Sequence, residues 1–86
     1  MKLLYFAWLR EQVGVPEEIV APPPGVRNVG QLIDWLRQRS PGHAAAFADL
    51  RAVRFAVNQD YADLAAGIAG GDEVAFFPPV TGGRNP

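Results

Sequence analysis

Gly71-Asp72-Glu73-Val74-Ala75-Phe76-Phe77-Pro78-Pro79-Val80-Thr81-Gly82-Gly83 reads as a turn, a strand and then a thin arm that leaves the fold. Val74 to Phe77 form a short apolar run of strand formers, launched from the Gly70-Gly71-Asp72 turn. Pro78 and Pro79 have no backbone N–H, so they end the sheet ladder and hold the chain extended. Gly82 and Gly83 carry no side chains, which makes that part of the arm as slender as a polypeptide can be. A domain is therefore expected over residues 1–77 and an arm over 78–86, the last three being Arg84-Asn85-Pro86.

A strand this apolar needs a partner of the same kind. Leu3-Leu4-Tyr5-Phe6-Ala7-Trp8 is apolar at every position, as in a central strand covered on both faces. Leu9 to Val13 can make a helical turn stopped by Gly14, and Glu17 to Ala21 reads as an edge strand between prolines. The main helix is signalled by Asn28 as N-cap, Gln31 three residues on, and the stripe Val29, Leu32, Ile33, Leu36. Trp35 falls at the rim of that stripe, and Ser40-Pro41-Gly42 reads as its stop. His43 to Arg51 reads as a helical turn or loop. Val53, Phe55 and Val57 alternate with polar or small residues as a half-buried strand does. Asn58-Gln59-Asp60 is a turn, Tyr61 to Asp63 a short edge strand, and Leu64 to Gly70 a connector with a helical turn in which Leu64 and Ile68 fill the core.

One substantial helix among these strands implies an α+β domain, a mixed sheet with the helix packed across one face. The first and last strands should be parallel neighbours at its centre, as in ubiquitin-like, β-grasp domains. With one face covered, either Phe76 or Phe77 should be largely accessible, and its place before the prolines selects Phe77.

The chain has 86 residues, eight basic and nine acidic, and no cysteine. That excludes disulfides, cysteine zinc sites and cysteine nucleophiles, and fits a reducing cytoplasm. No basic footprint for nucleic acid and no membrane-length apolar run is present. The usual catalytic constellations are missing as well. Glu17-Glu18 and Asp72-Glu73 read as a solvated edge and a turn, since adjacent strand residues point to opposite faces. His43, the single histidine, is expected at the surface, and no metal ligands are expected. That leaves the arm, which on composition alone reads as an ordinary frayed terminus; the functional reading is that a terminal carboxylate on a rigid, slender tail enters a narrow site in another protein. Adenylation by ATP would make it electrophilic, and sulfur attack would then give a thiocarboxylate.

Leu4-Tyr5-Phe6-Ala7, Leu9-Arg10-Glu11, Gly14, Ala56-Val57-Asn58-Gln59 and the whole Gly71–Gly83 block resemble the small subunit of molybdopterin synthase. This is a family of ubiquitin-like sulfur carriers in molybdenum cofactor biosynthesis. The resemblance implies Gly83 as the residue adenylated and thiocarboxylated, with Gly82 as its threading neighbour. Phe77, Pro78, Pro79, Val80 and Thr81 are the candidate partner contacts. It further implies an E1-like activating enzyme that uses ATP, a large synthase subunit that receives the arm, and no cofactor bound to the carrier itself. Members of the family end at Gly-Gly, so Arg84-Asn85-Pro86 implies a precursor trimmed by a processing peptidase before the chain can be charged, an appended tail, or a divergent paralogue that is not a carrier. The alternatives are a sulfur carrier for thiamine, cysteine or tRNA thiolation, and a non-covalent ubiquitin-like interaction module.

Overall fold

The structure, a computed structural model, describes residues 1–79. Five strands form one mixed sheet: β1 (Lys2–Tyr5), β2 (Glu17–Ile19), β3 (Arg54–Val57), β4 (Asp60–Ala62) and β5 (Glu73–Phe77). Their order across the sheet is β2-β1-β5-β3-β4. β1 and β5 are parallel neighbours, with Leu3 opposite Val74 and Tyr5 opposite Phe76, and every other pairing is antiparallel. A parallel pair needs a long crossover, and the segment between these strands supplies it with three α-helices, α1 (Trp8–Val13), α2 (Val29–Arg37) and α3 (Pro41–Ala46). This is the β-grasp arrangement.

α2 forms where its local signals put it. Asn28 Oδ1 accepts from the Gln31 backbone N–H at 2.8 Å, closing the first turn. The Gln31 side chain reaches one residue further back than a capping box would, accepting from the Arg27 N–H at 2.8 Å. Val29, Leu32, Ile33 and Leu36 are completely buried against Leu3, Tyr5, Val74 and Phe76 on the inner sheet face. Trp35 stays at the rim, with the Arg39 guanidinium 4.7 Å from its ring centre, within cation–π range. Phe76 is the centre of the core: Tyr5 stacks on it at 5.6 Å, while Phe47 and Phe55 meet it edge-on at 4.9 and 6.1 Å.

Several expectations are corrected. β1 ends at Tyr5 instead of Trp8, because Ala7 turns the chain with φ 56° and ψ −134°. That is backbone space proper to glycine at the first central position of a type II′ turn, and it costs an alanine about 1–3 kcal/mol. β1 and β5 are fully buried on the inner face only, as a single covering helix implies, and their open-face residues are half-buried. Leu64 is exposed, and the connector fills the core with Ile68, with Ala66 packed against it, instead of with Leu64 and Ile68.

Ser40-Pro41 begins a helix as well as ending one. Ser40 Oγ accepts from the His43 N–H at 3.1 Å, with Pro41 in the first turn of α3. Gly42 then lies so close to α1 that a Cβ there would meet the Gln12 carbonyl oxygen.

That start turns His43 inward, 6% exposed instead of at the surface. Its Nε2 lies 2.7 Å from Glu18 Oε2 and its Nδ1 2.7 Å from Ser40 Oγ. The Tyr5 hydroxyl donates to the same Glu18 oxygen at 2.7 Å. A neutral imidazole satisfies every atom of this chain if Ser40 O–H donates to Nδ1 and Nε2–H donates to Glu18. Glu18 is thus a half-buried tie between edge strand and helix, not a solvated edge residue.

Partial burial would raise the Glu18 pKa, but the hydrogen bonds from Tyr5 and His43 and the nearby Arg39 charge outweigh it, leaving the carboxyl below its usual range. A depressed carboxylate pKa contributes stability above the unfolded-state value and loses it as pH falls through the folded-state value. Glu18→Gln is expected to lower stability by about 1 kcal/mol at pH 7, the excess of a charge-assisted over a neutral hydrogen bond after partial screening. That difference should shrink as pH falls below the ordinary glutamate range. Denaturant titrations of both proteins at pH 7 and pH 3 check this, and a gap of constant size would refute it.

Candidate functional site

The functional geometry is at the C-terminal end of β5, where the arm begins. Strand alternation turns Val74 and Phe76 into the core and Glu73, Ala75 and Phe77 onto the open face. Register places Leu4, Ala75, Ala56 and Tyr61 side by side across four strands of that face, and puts Arg54 opposite Phe77. The two alanines make a shallow floor between Leu4 and Tyr61. Tyr61 is 81% exposed and its ring lies 5.9 Å from that of Phe77. The expectation of a largely accessible Phe77 is therefore corrected: Tyr61 leans on it and leaves it half-buried.

On the other side of β5 the Phe6 N–H donates to the Phe76 carbonyl at 3.1 Å, the last rung between β1 and β5. Phe6, 47% exposed, and Trp8, 38% exposed, flank the Ala7 turn there. Arg54 is held by hydrogen bonds from Nη1 to the Arg51 and Val53 carbonyls, both 3.1 Å, and has no acidic partner among the described residues. Pro78 and Pro79 continue from Phe77, half-buried and outside the ladder. Val80, Thr81, Gly82 and Gly83, with Arg84 to Pro86, lie outside the described residues.

β5 is held at its far end too. Asn58 Oδ1 accepts from the Glu73 N–H at 3.0 Å, and Asn58 Nδ2 donates to Asp72 Oδ1 at 3.1 Å. The Asn58 N–H donates to the Glu73 carbonyl at 2.7 Å. The Asp72 carboxyl, held below its usual range by the Asn58 side chain and the Ala69 N–H, fixes the preceding turn. The arm therefore starts from a strand pinned along its length. Phe6, Trp8 and Tyr61 were not singled out from the sequence. The signal for Phe6 was the parity of β1: with Tyr5 inward, its neighbour faces out.

Among the described residues no three His, Asp or Glu side chains are grouped to hold a metal, and no helix is long and apolar enough to cross a membrane. What this site offers is an apolar platform beside the root of the arm at Pro78 and Pro79.

A five-stranded β-grasp sheet of this order, with a helix packed across its inner face, defines a ubiquitin-like protein. Residues 3–83 match the ThiS family, and the match stops at the second glycine of the arm. The chain is 40% identical over 84 residues to the molybdopterin synthase sulfur carrier subunit of Escherichia coli K12, an alignment spanning 96% of this chain and 99% of that protein. The subunit of that name from Mycobacterium tuberculosis is 39% identical, with 96% of each chain covered. Among solved structures, SAMP1 from Haloferax volcanii superposes with a TM-score of 0.76 at 31% identity, covering 95% of this chain and 97% of that one. The chain belongs to the ThiS family.

Proposed function

We propose that this protein is a sulfur carrier of molybdopterin synthase, working as the small subunit that delivers sulfur on the C-terminal glycine of its arm. The observation that carries this reading is the match over 3–83, which stops at Gly83, together with end-to-end similarity to sulfur carrier subunits of that synthase. In this reading Gly83, once C-terminal, bears the acyl adenylate and then the thiocarboxylate, and Gly82 passes the narrow approach to the acceptor site. ATP is consumed by an activating enzyme, not held by the carrier. The large synthase subunit receives the arm, and a peptidase removes Arg84 to Pro86. The experiment is reconstitution: thiocarboxylated protein ended at Gly83, mixed with the large subunit and the pterin precursor, should yield the dithiolene product. Failure there, with sulfur accepted instead by a thiazole- or tRNA-modifying system, would assign the carrier to another pathway.

The platform beside the arm suits the docking step. Phe77, Pro78 and Pro79 form its rim, with Tyr61 and Phe6 on either side. A half-buried aromatic next to the inserting segment is the type of residue that dominates binding energy. Phe77→Ala is expected to weaken binding to the large subunit at least tenfold, about 1.4 kcal/mol, while the domain remains folded. Calorimetric titration checks this, and unchanged affinity in a folded variant would remove Phe77 from the interface.

A further inference from the structure

Of the residues with positive φ, Gly14 and Gly71 are glycines and Asn58 is held by its own side-chain hydrogen bonds. Gln59 belongs to the two-residue turn between β3 and β4. Ala7 has no such account. Its methyl group is exposed and it provides no side-chain bond to cap α1. The turn is closed by the Leu9 N–H to the Phe6 carbonyl at 3.2 Å and the Arg10 N–H to the Ala7 carbonyl at 3.1 Å. Glycine would adopt this conformation without strain, so the alanine lowers the stability of the free protein while the residue stays exposed.

The strain lies between Phe6 and Trp8, one residue past the last rung joining β1 to β5. Rotation about the Ala7 backbone moves those two exposed aromatics relative to the root of the arm. We infer that the Phe6–Leu9 turn is a loaded hinge, in which Ala7 moves to negative φ when the partner docks at the arm root. Strain stored in the free carrier is released in the complex and adds to affinity. A binding partner shifts a conformational equilibrium only through its differential affinity for the two forms, and relief of strain is such a difference. The inference rests on the sulfur-carrier reading, which supplies the partner.

The experiment compares wild-type protein with Ala7→Gly and Ala7→Ser, all ended at Gly83, against the large subunit of molybdopterin synthase. Glycine removes the strain in the free state, whereas serine keeps it and nearly the same volume. Ala7→Gly is expected to raise Tm, by about 4–8 °C for each 1 kcal/mol gained, and to weaken binding about tenfold. Ala7→Ser is expected to bind as wild type does, with any rise in Tm coming from its hydroxyl at the cap of α1. A purely structural role would move Tm alone. The hinge is overturned if Ala7→Gly binds as tightly as wild type, or if its Tm does not rise. It is also overturned if Ala7→Ser weakens binding as much as glycine does, which would indicate a methyl contact. Lack of binding by wild-type protein would sink the carrier reading and the hinge together, a result distinct from those three.

Discussion

A chain ended at Gly83 is expected to gain sulfur, and a chain continuing through Arg84-Asn85-Pro86 is not. In the proposed charging reaction the Gly83 carboxylate would attack the α-phosphorus of ATP on an activating enzyme, forming an acyl adenylate and releasing pyrophosphate. Sulfide then attacks the acyl carbon, AMP leaves with the carbon–oxygen bond, and a thiocarboxylate remains. No electron is transferred, and the first step consumes a free carboxylate. In the longer chain Gly83 offers an amide carbonyl, and the carboxylate belongs to Pro86, about 10 Å further along an extended backbone and on a hindered ring. Arg84 would also have to be desolvated in any site shaped for two glycines. Intact-mass analysis after incubation with activating enzyme, ATP and sulfide reads the result directly. Only the shorter chain should become heavier, by the difference between a sulfur and an oxygen atom. A longer chain that gains this mass with its last three residues still attached would make Pro86 the reactive end. If neither chain gains it with a competent enzyme, the carrier reading falls.

Phe76→Ala is expected to have the largest effect on stability. The ring is fully buried and in contact with Tyr5, Phe47 and Phe55, so truncation loses its transfer energy and leaves a cavity lined by three aromatics. Such changes cost about 3–5 kcal/mol, against a total of about 5–15 kcal/mol for a domain. Chemical denaturation should show most of the stability gone. A loss below about 1 kcal/mol would mean that the core closes over the gap and that Phe76 is not its centre. The contrast with Phe77→Ala is informative, since adjacent residues on opposite faces of β5 separate folding from docking.

Legibility followed the range of each interaction. α2 could be read because its cap and its apolar stripe are all within nine residues of one another. The central parallel pair could be read because two strands without a polar face have few other places in a small sheet. The Tyr5–Glu18–His43–Ser40 chain could not. It joins β1, β2 and α3, and its one local clue was Ser40-Pro41, which signals a helix start as readily as a stop. Reading it as a start would have placed His43 in the first turn, and α3 could then have been turned inward. The early end of β1 left no trace either, because alanine in place of glycine hides a positive φ. Tyr61 went unnoticed as a platform residue because its row on the open face exists only once β1, β5, β3 and β4 are in register. For the arm, the proline pair and the apolar run before it were sufficient to place its root.

The pairing of β1 with β5 also governs when this protein can exist during its own synthesis. The first strand to leave the ribosome has its inner neighbour only after Glu73 to Phe77 have been translated, so contacts at the centre of the sheet are almost as distant in sequence as the domain allows. A nascent chain lacking β5 has β1 with only the three-residue β2 beside it and Leu3 and Tyr5 without Val74 and Phe76. Such a chain remains open to chaperones and proteases. Completion of the sheet and presentation of the arm's root become one event, so a chain cut short of β5 presents neither.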